Sequence, residues 1–232
     1  MPVKPIVIKR MDAWSYSRYN DYRKCPAYAC YKHVQKIREP GSPALDRGSA
    51  IHALAEKFAK AKKGTKTPAE LATFAAEFKQ LQATKVLVEE QWAFTDKWEP
   101  TGWFDKGPAG AYSRMVVDCC YMDIKRNVLV VIDHKTGKIN PDHAGQLSLY
   151  ALGGLLQYPA CAGVEVQLWY LDHGVQVPET PKVYQRDELP ALKKEWATKV
   201  KKMMADTRFA PTPSKSCGWC FYSKAKNGPC QY

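Results

Sequence analysis

The sequence predicts an α/β domain in which a central mixed sheet is flanked by helices. The first observation is that residues 86–135 contain three apolar, β-branched segments separated by turn-forming residues, as in neighbouring strands. The second is that helical periodicity precedes and follows this region. The third is length, because 232 residues suffice for one sizeable domain. We therefore treat residues 1–232 as a single domain.

Helical segments are expected before the sheet. Residues 15–33 predict a helix interrupted near Pro26, within an N-terminal helical segment over 15–47. Residues 48–64 have helical spacing and end at Gly64, which suits a C-cap. A second helix is predicted from Pro68 to about residue 85, because proline is favoured at a helix start.

The region over 86–186 is expected to hold the sheet and the helix that crosses it, followed by a basic helix and a cysteine-rich tail over 208–232. Residues 125–127 are expected to form the tight turn between the second and third strands. In chain order, we predict strands over 86–94, 113–124 and 127–135, a helix over 141–157, a strand pair over 164–179 that turns at 172–174, and a helix over 187–206.

Charge and hydropathy narrow the class of protein. The formal net charge is +12, which favours a polyanionic partner such as nucleic acid, although a basic protein can also be basic for solubility alone. No apolar run approaches the roughly 18–20 residues that a membrane span needs. Residues 1–14 contain too short an apolar stretch for a secretory signal. We expect a cytoplasmic protein with no membrane partner.

The segment over 113–138 carries the candidate chemistry. Asp133 and Lys135 are two residues apart in a strand, so their side chains leave the same face, and Asp118 lies on the neighbouring strand. Carboxylates that are brought together repel unless a proton or a cation separates them, and Mg²⁺ or Mn²⁺ meets that need. The backbone carbonyl of His134 could supply a further ligand. The alternative is an ordinary exposed ion pair at a strand end.

Two helical positions add to this set. His52 lies in a helix among small residues, and Gln146 and Tyr150 are one turn apart on one helical face. A lone helical histidine is more often a packed core residue, and a Gln–Tyr pair is equally common as a surface hydrogen bond. Asp123 is a fallback carboxylate, and Glu90, which follows Glu89, could contribute to a second metal, but a structural role suits these carboxylates better.

Taken in order, G-x3-H, Asp, D-x-K-T-G and Q-x3-Y resemble the RecB-type nuclease branch of the PD-(D/E)XK superfamily, as does the opening over 15–26. The resemblance implies a restriction-endonuclease-like domain in which His52, Asp118, Asp133 and the His134 carbonyl bind the metal. It implies that Lys135 is catalytic and that Gln146 and Tyr150 organise the site or touch DNA. One departure is Met115, where relatives often have glycine.

Cysteines form a second candidate metal site. Cys217, Cys220 and Cys230 lie in a tail with little else to bury, and a fourth ligand is best supplied by Cys25, with Cys30 as the alternative. Resemblance to CRISPR-associated and AddB-like relatives implies a [4Fe-4S] cluster that joins the N- and C-terminal parts, and four thiolates would hold Zn²⁺ equally well. The remaining cysteines, Cys119, Cys120 and Cys161, are expected in the core.

The N-terminal helical segment interleaves aromatic and basic residues, a mixture that suits DNA with unpaired bases. The candidate contacts are Tyr16, Arg18, Arg23 and Lys24. Tyr19 and Tyr22 are better explained as packing residues. The favoured function is a DNA exonuclease acting at free or single-stranded ends in recombination, repair or phage DNA metabolism, alongside recombination or replication proteins. The alternatives are an endonuclease on the same fold and a catalytically silent DNA-binding or scaffold module.

Overall fold

The computed structural model describes residues 9–232, so residues 1–8 of the stretch considered for a secretory signal lie outside the described residues. The chain forms two compact units. The middle unit is Gly41–Lys194, and the terminal unit combines the described residues up to Pro40 with Glu195–Tyr232. Within residues 9–232, no helix has both the length and the apolar character that crossing a membrane requires.

A six-stranded mixed sheet is the centre of the middle unit, in agreement with the prediction. The strands run in the order β1-β2-β3-β4-β5, and β6 pairs with β4. The β3–β4 pair is parallel and the other pairs are antiparallel. The strands are β1 (Leu87–Phe94), β2 (Ser113–Asp123), β3 (Val128–Lys135), β4 (Gly163–Tyr170), β5 (Val175–Val177) and β6 (Val183–Gln185).

Helices cover both faces of this sheet. On one face, an apolar cluster joins α3 and α4 to Val130 and Ile132 of β3. On the other, α5 lies so close that a Cβ at Gly153 would sit 2.5 Å from the sulfur of Met115. The helices are α1 (Tyr16–Lys24), α2 (Pro26–Ala29), α3 (Pro43–Ala59), α4 (Ala75–Leu81), α5 (Gly145–Gln157) and α6 (Leu189–Ala205).

The predicted bounds need correction at two helices. Helix α3 ends at Ala59 and is capped by Lys60, so Gly64 is not its C-cap; Gly64 instead has φ +91° in a turn closed by Thr65. Past Ala59 the chain offers little apolar surface to bury, and burial is what sustains helices in proteins. The helix predicted from Pro68 is divided into a 3₁₀ turn, Ala69–Phe74, and α4.

The terminal unit is held together by aromatic packing. Trp196 is fully buried, and Trp14 stacks on it with ring centroids 5.6 Å apart. Tyr19 meets the same indole edge-on, and the hydroxyl of Tyr22 donates to Asp206 at 2.7 Å. The packing role predicted for these two tyrosines is therefore confirmed.

Candidate active site

The two strands that carry the candidate carboxylates separate at the site. Pairing between β2 and β3 ends at Cys119 and Ile132. Just beyond it, the carboxylate of Asp118 accepts the backbone N–H of His134 at 2.7 Å. The side chain takes over the backbone hydrogen bond that a continuous ladder would supply. Asp118 is thereby held in the gap between the strands.

Asp133 and Lys135 occupy one face of β3, where α5 packs against them. The ammonium of Lys135 lies 2.5 Å from Asp133 Oδ2 and donates to Gln146 Oε1 at 3.0 Å. Gln146 Nε2 donates to the hydroxyl of Tyr150 at 2.7 Å. That hydroxyl lies 2.8 Å from Asp133 Oδ1 and 2.8 Å from the carbonyl oxygen of Val116. Because it has a single proton, it donates to one of these two acceptors at a time.

The titratable groups of this network are strongly perturbed. Burial raises the pKa of Asp133, with Lys135 opposing the effect and Asp118 adding to it. Burial also pushes up the pKa of Asp118, but hydrogen bonding from His52 and the nearby His134 bring it below its usual value. The contact with Asp118 raises the pKa of His52 in turn. Two carboxylates pushed in opposite directions are typical of a functional site.

His134 contributes differently from its neighbours on β3. Its ring packs against Phe78 and Trp169, on the face opposite Asp133 and Lys135. Burial lowers the pKa of this imidazole to about 4, so it is neutral near pH 7. The side chain is therefore a buried, neutral neighbour of the site, with Nδ1 3.9 Å from Asp118 Oδ2, and its backbone carbonyl is the candidate ligand.

Helix α3 supplies the opposite wall. His52 Nδ1 lies 3.3 Å from Asp118 Oδ2. A Cβ at Gly48, one turn earlier, would sit 3.2 Å from the Thr136 hydroxyl, closer than most real Cβ contacts. Glycine at this position lets the helix approach the loop after β3, which explains the spacing between Gly48 and His52. These residues line a cleft of about 580 Å³.

Two glutamates in the cleft extend the predicted set. Glu56 lies one turn beyond His52 on α3, and Glu89 of β1 also lines the cleft. Its neighbours Val88 and Glu90 pair with the residues on either side of Asp118. Partial burial, with Asp118 and Glu56 nearby, raises the pKa of Glu89. Glu90 does not line the cleft. The i,i+4 spacing from His52 was the sequence signal that could have identified Glu56.

The loop after β3 is fixed by a residue that the sequence did not identify. Asp172 Oδ2 accepts the backbone N–H of Gly137 at 2.6 Å. Arg47 donates to the same carboxylate from both terminal guanidinium nitrogens, Nη1 at 2.9 Å and Nη2 at 2.5 Å. Asp172 therefore ties the loop two residues beyond Lys135 to the start of α3.

The donors of this site fit a hard divalent cation. Two carboxylates and a backbone carbonyl are oxygen ligands of the kind Mg²⁺ takes, and Mg²⁺ usually keeps several waters besides one or two protein carboxylates. Among residues 9–232, no group of three or more His, Cys, Asp or Glu side chains is arranged to hold a metal. Asp123 lies outside the site, because it caps the β2–β3 turn through Arg126.

The proposed DNA contacts of α1 fall into two pairs. Tyr16 packs edge-on against Trp196, and the guanidinium of Arg18 donates to the carbonyl of Ala13 at 2.6 Å. These two side chains already have structural contacts. Arg23 and Lys24 are exposed at the last turn of the helix.

The structure brings the four candidate cysteines together within the terminal unit. Cys25, Cys217, Cys220 and Cys230 line one cavity of about 380 Å³, each partly exposed. Burial raises the pKa of Cys220, and the other three thiols add to the effect. Cys30, the alternative ligand, is buried and does not line this cavity. Cys119, Cys120 and Cys161 are buried, as predicted for core residues.

Comparison with known proteins identifies one family. The family model described as the PD-(D/E)XK nuclease superfamily matches residues 13–118 and 116–225. A crystal structure of SSO0001 is 13% identical, covers 97% of this chain and 88% of its own, and has a TM-score of 0.47. A "Putative exonuclease" from Eubacterium rectale is 15% identical, with coverage of 90% and 87% and a TM-score of 0.47. No curated protein matches the sequence.

Proposed function

The chain belongs to the PD-(D/E)XK nuclease superfamily, and from this premise we propose that it is a divalent-metal-dependent DNA exonuclease. The observation that carries the proposal is the network in which Lys135, Gln146 and Tyr150 hold Asp133 beside Asp118. A buried ion pair contributes little to stability, because removing the charges from water costs free energy. A buried carboxylate held by three polar side chains therefore indicates a functional role. The choice of an exonuclease rests on the resemblance to the RecB-type branch.

In the proposed mechanism, Asp118, Asp133 and the His134 carbonyl hold Mg²⁺ or Mn²⁺, with His52 at the edge of the set. When bound, the ion polarises the scissile phosphate and acidifies water. Lys135 orients the attacking water and offsets the charge that develops on the phosphate. Gln146 fixes the ammonium of Lys135, and Tyr150 fixes the carboxylate of Asp133.

The catalytic proposal is tested with end-labelled linear single- and double-stranded DNA beside closed circles. Each substrate is incubated with Mg²⁺, Mn²⁺ or EDTA. The wild type should degrade linear DNA in a metal-dependent manner, and Lys135→Ala should lose this activity. Lys63→Ala, which removes an exposed charge from a turn of the same unit, is the matched control and should keep it.

Other outcomes of this assay select the alternatives. Cleavage of closed circles would replace the exonuclease by an endonuclease. Metal-independent DNA binding without cleavage would refute catalysis and leave a DNA-binding or scaffold module. Equal activity in Lys135→Ala and the wild type would refute the assignment of the site.

We also propose that Cys25, Cys217, Cys220 and Cys230 bind a [4Fe-4S] cluster, with Zn²⁺ as the alternative. The support is that all four thiols line one cavity and that Cys25, Cys217 and Cys230 add to the raised pKa of Cys220. Iron, sulfide and zinc are measured in anaerobically purified protein. Cys25→Ser should lose the metal, whereas Cys30→Ser should retain it. Retention of the metal by Cys25→Ser would contradict the ligand set.

The remaining elements of the proposal concern the biological setting. We propose that residues 1–232 act as one nuclease domain in the cytoplasm, or in a host cytoplasm if phage-encoded. The substrate is DNA with a free or single-stranded end, and Arg23 and Lys24 contact its phosphates together with Tyr16 and Arg18. Recombination or replication proteins are the expected partners.

A further inference from the structure

Trp219 is the most exposed large apolar side chain among residues 9–232. Its exposed fraction is 89%, whereas Trp14, Trp92 and Trp196 are almost completely buried. It ends the 3₁₀ turn Lys215–Trp219, between two of the clustered cysteines. Tryptophan is normally the residue that buries the most apolar surface. A single exposed apolar side chain is common on protein surfaces, so the indole gains its significance from the residues around it.

The backbone under this indole is fixed. Ser214 caps the turn by accepting the N–H of Ser216 at 3.2 Å, and the N–H of Cys220 reaches the carbonyl of Cys217 at 3.2 Å. A Cβ at Gly218 would meet nothing within 4 Å, so the space beside the turn is open. Trp219 is thus presented on an ordered turn with free access to one side.

The segment that carries the turn has an excess of positive charge. Residues 207–232 contain four basic side chains and no aspartate or glutamate. The four, all exposed, are Arg208, Lys215, Lys224 and Lys226. A segment with this excess of exposed cations attracts a polyanion. It is poorly suited to a protein partner, because the cores of protein interfaces are depleted in lysine.

Trp219 also lines the cavity of about 380 Å³ that contains the four cysteines. Tyr28, Tyr31 and Tyr232 lie on its wall, and Lys24 borders it. The carboxylate of Asp21 also lines the cavity, but it is bound by Lys32 at 3.2 Å and by His33 at 2.8 Å. Aromatic rings beside cations are the combination by which proteins bind single-stranded nucleic acid, with bases stacked on the rings and phosphates on the cations. A duplex offers no free base face along its length, so an indole can stack only on an unpaired base.

We propose that Trp219 is a stacking platform for an unpaired base of single-stranded DNA, with the basic residues of the tail holding the adjoining phosphates. The identity of the polyanion rests on the proposed nuclease function. The inference adds a residue and a strand preference that the candidate active site does not supply. Lys24 joins the same surface and links it to the phosphate contacts proposed on α1.

The test is the binding of fluorescently labelled oligo(dT) and of a duplex of equal length, without added divalent metal. Trp219→Ala should weaken oligo(dT) binding by about 5- to 100-fold, which is the usual effect of removing one stacked base contact. Trp219→Phe should bind within about threefold of the wild type, because the phenyl ring can still stack. Duplex affinity should change by less than about twofold in both variants.

Phe104→Ala is the matched control, because Phe104 is 79% exposed and lies in the middle unit. It should leave both affinities unchanged. An exposed position tolerates substitution with little loss of stability, and near-ultraviolet circular dichroism verifies that each variant is folded. Unchanged oligo(dT) binding by Trp219→Ala, or an equal loss for duplex and oligo(dT), would overturn the inference.

A parallel cleavage assay with Mg²⁺ separates this inference from the proposed function. Selective loss of oligo(dT) binding in a protein that cleaves no DNA would support the platform and refute the nuclease. Metal-dependent cleavage with binding that does not depend on Trp219 would support the nuclease and refute the platform.

Discussion

Replacement of Asp172 by asparagine should destabilise the protein in a pH-dependent manner. Asp172→Asn keeps the shape of the side chain but removes the charge that Arg47 and the Gly137 N–H bind. Arg47 lowers the pKa of Asp172 to about 2 from a usual value of 3.8. The full shift corresponds to about 2.5 kcal/mol at ~1.4 kcal/mol per unit. Because the Asp172 side chain is 21% exposed and that of Arg47 is 55% exposed, solvent screening leaves about 1 kcal/mol.

The sign follows from the direction of the shift. A carboxylate whose pKa is lowered in the folded state stabilises it above pH 3.8, and this contribution is lost as the pH falls towards 2. The difference in unfolding free energy between wild type and Asp172→Asn, measured with urea, should be about 1 kcal/mol at pH 7 and about half of that at pH 3. An equal difference at both pH values would refute the electrostatic origin of the effect.

The same variant should lose DNA cleavage activity, because Asp172 holds the loop two residues beyond Lys135. Asp123→Asn is the matched control, since Asp123 also binds an arginine and backbone N–H groups but lies outside the cleft. It should keep wild-type activity. If both variants lost activity equally, positioning by Asp172 would not be the cause.

Two further substitutions test the site. Tyr150→Phe should lower the unfolding free energy by about 1–2 kcal/mol, because buried partners lose a hydrogen bond, and it should reduce cleavage at least about tenfold. Tyr121→Phe, which changes a tyrosine of strand β2, is the control and should do neither. Equal urea midpoints for the two variants would contradict the assigned role. Gly48→Ala should leave the unfolding free energy equal or raise it by up to about 1 kcal/mol, because alanine has the higher helix propensity. Cleavage should nevertheless fall, because the added Cβ displaces Thr136. Unchanged turnover would contradict this reasoning.

The sheet and the core of the site were predictable because they depend on short periods. Side chains two apart in a strand share a face, which placed Asp133 with Lys135, and residues four apart in a helix share a face, which placed Gln146 with Tyr150. The structure brings both pairs into one network. Both relations follow from local backbone geometry, so the sequence alone was enough to predict them.

Features that depend on distant contacts were not predictable. Arg47 and Asp172 are 125 residues apart, and no local pattern connects them. The end of α3 was misplaced at Gly64 because the glycine serves a turn and the helix stops where its buried face stops. Strand β6, only three residues long, is too short for a periodic signal and exists because it pairs with β4.

The make-up of the terminal unit has a consequence for folding order. Its contacts join residues far apart in the chain: Tyr22 to Asp206 across 184 positions and Ile37 to Tyr222 across 185. During synthesis, such a unit cannot close until its later segment has left the ribosome, whereas the contiguous middle unit can fold earlier. Closing so long a loop costs chain entropy, which a metal shared by Cys25 and the tail cysteines would offset. Metal binding by the cysteine cluster would then complete folding, after the middle unit has formed and the C-terminal segment has been synthesised.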